Sequence, residues 1–539
     1  MRGEMNFPVV TAAEAAVWVP DGAMVAFSGF TPAGAAKAMP LALAARARAL
    51  HAKGERYRLR VLTGASTGAK LDDALAEANA ISWRAPYQSS LPLRHQINEG
   101  QVDFVDMHLS HVPQSALFGF FGKIDFAVIE ATDITSDGRV YLSTSIGASP
   151  TFLQAAEKVI IELNRAQPRR ISEMADIVIP KPPPYRSALD LDHPLHRIGK
   201  TYTRVDPEKI IGIVETHELD ETGELAPSDE VSRAIAGHVV KFLTDELAAR
   251  RLPHEFLPLQ SGVGNVANAV LEGIGDSPDI PDFEMYTEVF QSSAFELMAR
   301  GRLTGASTCA LVISPTQMAQ LRENFDEFSA RIVLRPQEIS NNPAVVRQLG
   351  VIAMNTALEV DLYGHVNSTH VTGCRIMNGI GGSGDFARNA YVSIFMCPST
   401  AREGRISTIV PMCTHVDHNE HSVQVVVTEH GLADLRGLAP HERARRIIDH
   451  CAHPAYRAYL HRYLSEAGTG HIPHDLRTCF ELHQNLMRYG SMLPDVFPTP
   501  STPRVPALPE TPTRTPGVVA RIGPGRGSGT ISCQQAKVS

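Results

Sequence analysis

The chain has 539 residues and a mass of 58.6 kDa, more than one hydrophobic core usually holds, so two or more domains are expected. Its formal net charge of −8 argues against a nucleic-acid-binding protein, because contact with phosphates requires clustered cations. No apolar run is long enough to cross a bilayer, and the N-terminus has no uninterrupted apolar segment. The sequence therefore predicts a soluble cytoplasmic protein.

The first half of the chain alternates short β-rich runs with helical patterns. MVAFSGF from Met24 precedes AKAMPLALAARARAL, and FAVIEATDI from Phe126 precedes PTFLQAAEKVIIELN. This alternation predicts βαβ units on a parallel sheet and an α/β fold.

A polar, turn-rich stretch, THELDETGELAPS from Thr216, marks the predicted domain boundary. Ser228 is predicted to cap a helix whose first turn carries Asp229 and Glu230. We therefore expect an N-terminal domain at residues 6–222 and a C-terminal domain at residues 223–498.

The second half of the chain shows the same kind of strand, loop and helix pattern as the first. SGVGNVANAVL from Ser261 has the Ser-Gly-loop-helix shape of SGFTPAGAAKAM from Ser28, which suggests two domains of one fold. The strand-like runs FEMYTEVFQ, ALVISP and ARIVLRP follow. Residues 499–539 are rich in Pro, Thr and Gly, a composition typical of a disordered extension.

Two glycine loops are candidate binding elements. Gly262 and Gly264 let the backbone approach a ligand, and the following helix directs free N–H groups toward an anion. The alternative is a purely structural turn; a dinucleotide site is not predicted, because no Rossmann pattern surrounds the loop. MNGIGGSGDFARNA from Met377 is the second loop, and its alternative, a long flexible turn, leaves Asn378 and Asp385 unexplained. Each loop is able to donate one N–H to a developing oxyanion.

Glu288 is the only carboxylate in YTEVFQ, and no basic residue accompanies it in FEMYTEVFQ. Strand alternation places it on one face with Tyr286 and Phe290, where partial desolvation makes an ionised carboxylate a better nucleophile. The alternative is a solvated glutamate on an amphipathic strand.

HVDHNEH, from His415 to His421, contains several metal-competent side chains. Strand spacing divides these side chains between two faces, which favours a hydrogen-bonded polar turn over a metal site. The seven cysteines include no CxxC pair, so buried free thiols are expected rather than disulfides or a zinc site.

Several motifs in order carry a resemblance to a known family: QSGVGNVANAVL, YTEVFQ, EISNNP, NGIGGSGDF, IVPMCTHVDHNEH and VVTEHGLADLRG. Together they resemble the acetyl-CoA hydrolase/transferase family of class I CoA-transferases, particularly the succinyl-CoA:acetate CoA-transferases, over roughly residues 6–498. The resemblance implies two tandem α/β domains of similar topology with the active site at the interdomain cleft. It also implies that HVDHNEH is not a metal site.

The resemblance further implies that Glu288 is the nucleophile, forming an acyl-glutamyl anhydride and then a glutamyl-CoA thioester. The oxyanion hole corresponds to the backbone N–H groups of Val266 and Gly382. Coenzyme A is then a substrate, no cofactor is needed, and the partners are acyl-CoA and short-chain carboxylates, with a homodimer as the expected assembly.

The resemblance also implies that several other residues contact the substrate or order the active site. Asn341 and Glu429 match polar residues of the active site, and Arg233 matches a basic residue for the acyl-group carboxylate or for cleft closure. The implied CoA contacts are Gly262, Val263, Gly264, Asn265, Val266, Asn378, Gly382 and Arg402. Acetyl-CoA hydrolase is the alternative activity, and a non-catalytic acyl-CoA sensor is a distant one.

Overall fold

The computed structural model describes residues 7–223 and 227–498. The predicted disordered tail at residues 499–539 lies outside the described residues.

A nine-stranded sheet organises the N-terminal half. Its parallel part runs in the order β4-β3-β2-β1-β5-β7-β9, and β6 adds to β5 and β8 in antiparallel pairs. The strands are β1 (Met24–Phe27), β2 (Leu59–Leu62), β3 (Ile81–Ala85), β4 (Asp103–Phe104), β5 (Phe126–Ile134), β6 (Arg139–Leu142), β7 (Lys158–Asn164), β8 (Thr203–Arg204) and β9 (Ile210–Thr216). The helices are α1 (Ala12–Val17), α2 (Ala38–His51), α3 (Ala74–Glu77), α4 (Leu91–Asn98), α5 (His111–Leu117) and α6 (Ser149–Ala155).

An eight-stranded sheet organises the C-terminal half in the order β15-β13-β11-β10-β16-β21-β25-β26, parallel except for its last pair. The strands that follow β9 are β10 (Leu259–Ser261), β11 (Phe283–Tyr286), β12 (Val289–Gln291), β13 (Leu303–Thr308), β14 (Ala310–Val312), β15 (Ile332–Leu334), β16 (Ile352–Thr356), β17 (Glu359–Asp361), β18 (Val366–Asn367), β19 (His370–Val371), β20 (Arg375–Ile376), β21 (Val392–Met396), β22 (Thr400–Ala401), β23 (Ile406–Ser407), β24 (Ile409–Val410), β25 (Val425–Thr428) and β26 (Gly431–Asp434).

Eleven helices belong to the described part of this half, counted from α7 to α17. They are α7 (Glu230–Ala248), α8 (Asn265–Asp276), α9 (Ser292–Ala299), α10 (Pro315–Glu323), α11 (Phe325–Ser329), α12 (Gln337–Ser340), α13 (Pro343–Leu349), α14 (Ser383–Ala387), α15 (Pro440–Cys451), α16 (Pro454–Glu466) and α17 (Glu481–Tyr489). The predicted two-sheet α/β architecture is confirmed.

The core is continuous across the two halves. One cluster of buried apolar side chains includes Ile161 on β7 of the first sheet and Ile394 on β21 of the second. Central parallel strands are covered on both faces and therefore consist of near-continuous apolar runs, as in VSIFM of β21, whose five residues are all buried.

Two local predictions are wrong. FEMYTEVFQ is not one alternating strand: β11 ends at Tyr286, β12 begins at Val289 and pairs with β14 outside the large sheet, and Glu288 lies at the break. Ser228 is not the cap of α7; the carboxylate of Asp229, one residue later, accepts the hydrogen bond from the Ser232 N–H at 2.7 Å.

Candidate active site

A cavity of about 470 Å³ lies where the two sheets present the carboxyl ends of their parallel strands. Phe30, Ser66 and Tyr87 line it from the loops that follow β1, β2 and β3. Gly262 and Glu288 line it from the loops that follow β10 and β11. Ligands of open α/β sheets bind at such edges, so both halves are positioned to contact one ligand.

Glu288 is half-buried in the wall of this cavity. Its Oε1 accepts a hydrogen bond from Nδ2 of Asn341 at 2.6 Å. Its main-chain carbonyl accepts from the Cys309 N–H and from the Thr308 hydroxyl, each at 3.0 Å. The main chain at the strand break is thus fixed, and the carboxylate faces the cavity.

The environment of Glu288 favours the protonated acid. Burial raises the pKa of Glu288 from 4.5 to about 8; the hydrogen bond from Asn341 opposes the rise, and the charge of Asp385 adds to it. A carboxylate that ionises only near pH 8 is a stronger base and nucleophile than an exposed glutamate.

Asp385 and Ser110 extend the hydrogen-bonded group around Glu288. Nδ2 of Asn341 also donates to Oδ2 of Asp385, at 3.2 Å. Oδ1 of Asp385 accepts from the Ser110 hydroxyl at 2.6 Å, and Oδ2 accepts from the Ser110 N–H at 3.0 Å. Sequence reasoning assigned Asp385 no role and did not include Ser110, because 275 positions separate the pair and no local pattern links them.

Gly382 in the second glycine loop lies against the Glu288 carboxylate. A Cβ at this position would lie 2.1 Å from Oε1 of Glu288 and 2.3 Å from Nδ2 of Asn341. Only glycine therefore lets the main chain approach the carboxylate this closely.

The N-terminal half holds the second glycine loop in place. The Ile380 N–H donates to Oδ1 of Asp106 at 2.9 Å, and the Leu109 N–H donates to the carbonyl of Gly381 at 3.3 Å. The ring of Tyr87 packs against the loop, with Cδ2 2.9 Å from where a Cβ of Gly379 would be. Asn378 lines the cavity beside these residues.

The first glycine loop contributes Gly262 and Val263 to the cavity wall. Gly264 precedes α8 with a φ of +108°, a conformation that favours glycine. Asn265 and Val266 open α8, where main-chain N–H groups have no partner within the helix. Among the residues that the structure describes, those that line the cavity do not include Gly264, Asn265 or Val266.

Three other predicted residues have hydrogen bonds or backbone geometry that the structure describes outside the cavity lining. Glu429 accepts hydrogen bonds from the N–H and the hydroxyl of Ser399, at 2.7 and 2.5 Å. The exposed Arg233 donates to the carbonyl of Ser228, and the exposed Arg402 has a φ of +50°. None of the three lines the cavity in the described part of the chain, so their roles stay predictions.

HVDHNEH supports the cavity wall. Nε2 of His418 lies 3.1 Å from the hydroxyl of Ser383, and Asp417 accepts from the Ser368 N–H at 2.7 Å; both serines line the cavity. Burial lowers the pKa of His418 to about 4, which keeps the ring neutral. No group of three metal-competent side chains that could hold an ion is found among residues 7–223 and 227–498.

The described cysteines are free thiols. Cys374 is exposed, and the buried ones are Cys309, Cys397, Cys413, Cys451 and Cys479. In the part of the chain that the structure describes, no helix has both the length and the apolar character needed to span a membrane.

Solved structures with the same architecture include RipA from Yersinia pestis, with a TM-score of 0.65 and 24% identity over 84% of this chain and 96% of that chain. A 4-hydroxybutyrate CoA-transferase from Porphyromonas gingivalis matches with a TM-score of 0.57 and 21% identity over 85% of this chain and 97% of that chain. At these identities the likeness establishes the fold.

Family models identify the chain more closely. The acetyl-CoA hydrolase/transferase N-terminal domain matches residues 4–215, and the corresponding C-terminal domain matches residues 318–464. The chain belongs to the acetyl-CoA hydrolase/transferase family, and the resemblance read from the motifs is confirmed.

Curated relatives include both activities of the family. A propanoyl-CoA:succinate CoA transferase of Escherichia coli strain K12 is 56% identical over 91% of this chain and 100% of its own length. A succinyl-CoA:acetate CoA-transferase of Clostridium kluyveri is 46% identical over 90% of each chain. An acetyl-CoA hydrolase of Schizosaccharomyces pombe is 45% identical over 88% of this chain and 93% of its own length.

Proposed function

We propose that this protein is a CoA-transferase that moves CoA between short-chain acyl-CoA thioesters and carboxylates, with succinyl-CoA as donor and acetate as acceptor. The observation that carries the proposal is the Glu288 carboxylate, which lies in the cavity against Gly382 and has a pKa raised to about 8. Two relatives at 46–56% identity that bear transferase names support the same activity class.

In the proposed mechanism, ionised Glu288 attacks the thioester carbonyl of succinyl-CoA, and the C–S bond breaks to give a mixed anhydride and CoA thiolate. The thiolate then attacks the glutamyl carbonyl of the anhydride, which releases succinate and leaves a glutamyl-CoA thioester. Acetate attacks this thioester to form the second anhydride, and the returning thiolate yields acetyl-CoA and free Glu288. Each covalent intermediate keeps one acyl group activated: the succinyl group in the first anhydride, the Glu288 acyl group in the thioester and the acetyl group in the second anhydride.

Each tetrahedral intermediate carries an oxyanion that needs hydrogen-bond donors. The predicted donors are the N–H groups of Val266, in the first turn of α8, and of Gly382. Loss of one such donor costs roughly 3–4 kcal/mol of transition-state stabilisation, so neither main-chain position tolerates displacement.

Labelling of Glu288 tests the proposal. Protein incubated with succinyl-CoA is treated with borohydride or hydroxylamine, and the peptide that contains Glu288 is analysed by mass spectrometry. We expect the reduced or hydroxamate form at Glu288 in the wild type and no modification in Glu288→Gln. An unmodified wild-type peptide, or full transfer activity in Glu288→Gln, would reject Glu288 as the nucleophile.

Acetyl-CoA hydrolysis is the second candidate, favoured by the 45% identical hydrolase. Water then replaces the acceptor carboxylate, and exclusion of water from the closed site decides between the two outcomes. Thiol release from acetyl-CoA is compared with and without succinate. Release that requires no carboxylate supports the hydrolase, whereas formation of succinyl-CoA with little free thiol supports the transferase.

A further inference from the structure

A hydrogen-bonded chain joins the N-terminal half to Glu288. It starts at Ser110, directly before α5, passes through Asp385 on α14 and Asn341 after α12, and ends at Oε1 of Glu288. Ser110, Asp385 and Asn341 are buried, with Asp385 exposed by only 4%. Water therefore has little access to the polar groups along this chain.

The side-chain amide of Asn341 has a fixed number of donors, and this number determines how the series of hydrogen bonds orients Glu288. A side-chain amide has two N–H bonds, and the two acceptors within reach of Nδ2 are Oε1 of Glu288 at 2.6 Å and Oδ2 of Asp385 at 3.2 Å. Oδ1 of the amide faces the thiol of Cys309 at 3.9 Å. A flipped amide would direct its oxygen at two carboxylates, so Asp385 selects the orientation that donates to Glu288.

Ser110 in turn fixes Asp385. Its hydroxyl and its N–H occupy one oxygen each, at 2.6 and 3.0 Å, so rotation of the Asp385 carboxylate would break both bonds. Ser110 belongs to the N-terminal half, whereas Glu288 belongs to the C-terminal half. The orientation of the Glu288 carboxylate therefore depends on a contact between the two halves.

We propose that Asp385, held by Ser110, is a positioning residue for the transfer reaction: it orients the Asn341 amide, which holds Glu288 in the geometry for attack. The inference rests on the proposed function, because it assigns Asp385 a role only if Glu288 is the nucleophile.

Two substitutions at Asp385 separate its acceptor function from its charge. Asp385→Ala removes the acceptor for Asn341, and we expect kcat to fall roughly 10- to 100-fold, the loss typical of a misplaced reactive group, with the KM for acyl-CoA little changed. Asp385→Asn retains size and one oxygen acceptor, and the Ser110 hydroxyl is able to accept from the new amide. We therefore expect Asp385→Asn to restore kcat to within about threefold of the wild type.

We also expect Asp385→Asn to change the pH dependence of thioester formation. The charge of Asp385 is one cause of the raised pKa of Glu288, so its removal moves the midpoint of thioester formation to lower pH. Among the described residues, the titratable groups near this site also include Tyr87, His108, Cys309 and His111, and all of them remain in the variant. This shift tests whether the charge of Asp385 acts on Glu288, whereas the recovery of kcat in Asp385→Asn tests the positioning role.

Ser110→Ala and Asp106→Ala complete the series. Ser110→Ala removes the hydroxyl donor but retains the N–H, so a loss in kcat smaller than that of Asp385→Ala is expected, with a native melting temperature. Asp106 is the matched control, because it also joins the N-terminal half to the second glycine loop, through the Ile380 N–H, but does not contact Asn341. We expect Asp106→Ala to lose less kcat than Asp385→Ala.

The wild-type label at Glu288 separates the two possible failures. An unlabelled wild type overturns the proposed function and this inference with it. A labelled wild type together with an Asp385→Ala kcat within threefold of normal overturns the positioning role alone. The positioning role alone is also overturned if Asp385→Asn loses as much kcat as Asp385→Ala. It is likewise overturned if Asp106→Ala loses as much kcat as Asp385→Ala. If Asp385→Ala does not fold, wild-type kcat in Ser110→Ala overturns the role.

Discussion

At the scale of single residues, Glu288 as the proposed nucleophile must be both basic enough to attack and ionised in part of the protein. Burial in the cavity wall raises its pKa to about 8, so most of the free protein at neutral pH carries the protonated, non-nucleophilic acid. The hydrogen bond from Asn341 lowers the pKa and thereby preserves a reactive fraction. Burial makes the ionised form reactive, and the amide keeps that form accessible.

The rate of thioester formation is expected to follow the ionisation of Glu288. In the proposed mechanism only the carboxylate attacks, so the single-turnover rate from succinyl-CoA should rise with pH and level off above about 8. Rapid-quench measurements between pH 6 and 9.5 test this. A rate that is already constant from pH 6 upward contradicts it.

Glu288→Gln is expected to stabilise the fold at alkaline pH. The folded-state pKa of about 8 exceeds the ordinary value of 4.5, so the folded protein binds more protons than the unfolded chain between these values. The contribution of Glu288 to stability is therefore fully present below about 4.5 and is lost as the pH rises toward 8. The melting temperature of Glu288→Gln should exceed that of the wild type more at pH 8.5 than at pH 6. An equal difference at both values argues against the raised pKa.

At the scale of elements, the second glycine loop brings the main chain against Glu288, which must remain free to react if it is the proposed nucleophile. Glycines of this chain differ in what they permit: at Gly382 in this loop a Cβ would enter the space of the Glu288 carboxylate, whereas at Gly237 in α7 a Cβ would meet nothing within 4 Å. These two positions provide a matched pair of substitutions.

Gly382→Ala is expected to reduce transfer activity by at least about 100-fold with little change in melting temperature. The added methyl group forces Glu288 or the loop N–H to move, since 2.1 Å is far inside van der Waals contact. Gly237→Ala should retain full activity and gain about 0.5–1 kcal/mol of stability, because alanine replaces glycine within a helix. Steady-state kinetics and thermal melts of both variants check this, and an active Gly382→Ala would remove Gly382 from the site.

The strands and loops also show which parts of the fold and of the site are predictable from local sequence patterns. The parallel sheets were predictable, because buried strands such as VSIFM of β21 consist of apolar runs. Glu288 and Gly382 were identified from their motifs, and the structure brings them together. The break at Thr287 and Glu288 was not predictable, since alternation gives no sign that β12 leaves the large sheet to pair with β14. The contact of Ser110 with Asp385 depends on how the two halves pack.

At the scale of the whole molecule, buried polar contacts join the halves at several points. Nε2 of Gln337 donates to the carbonyls of Gly64 and Leu109, at 3.1 and 2.7 Å. Arg335, two residues before, forms a buried ion pair with Asp176 of the N-terminal half. Such contacts hold the loops of both sheets in register, which a cavity built from two edges requires.

Removal of the Arg335 guanidinium is expected to destabilise the whole molecule. Arg335 also donates to the hydroxyl of Ser307 at 2.8 Å and to the carbonyl of His196 at 2.6 Å, so truncation leaves the Asp176 carboxylate buried with fewer donors. Loss of one partner of a buried pair typically costs about 3–5 kcal/mol, and we expect this decrease in the free energy of unfolding of Arg335→Met. Chemical denaturation monitored by circular dichroism measures it.

A double variant shows whether the pair itself is responsible for that cost. In Arg335→Met with Asp176→Leu no charge is left without its partner, so part of the stability should return. The exposed pair Lys241 and Asp245, 2.7 Å apart on α7, is the control: Lys241→Ala should change the free energy of unfolding by less than about 1 kcal/mol. If Arg335→Met is no more costly than Lys241→Ala, the contact between Arg335 and Asp176 does not hold the halves together.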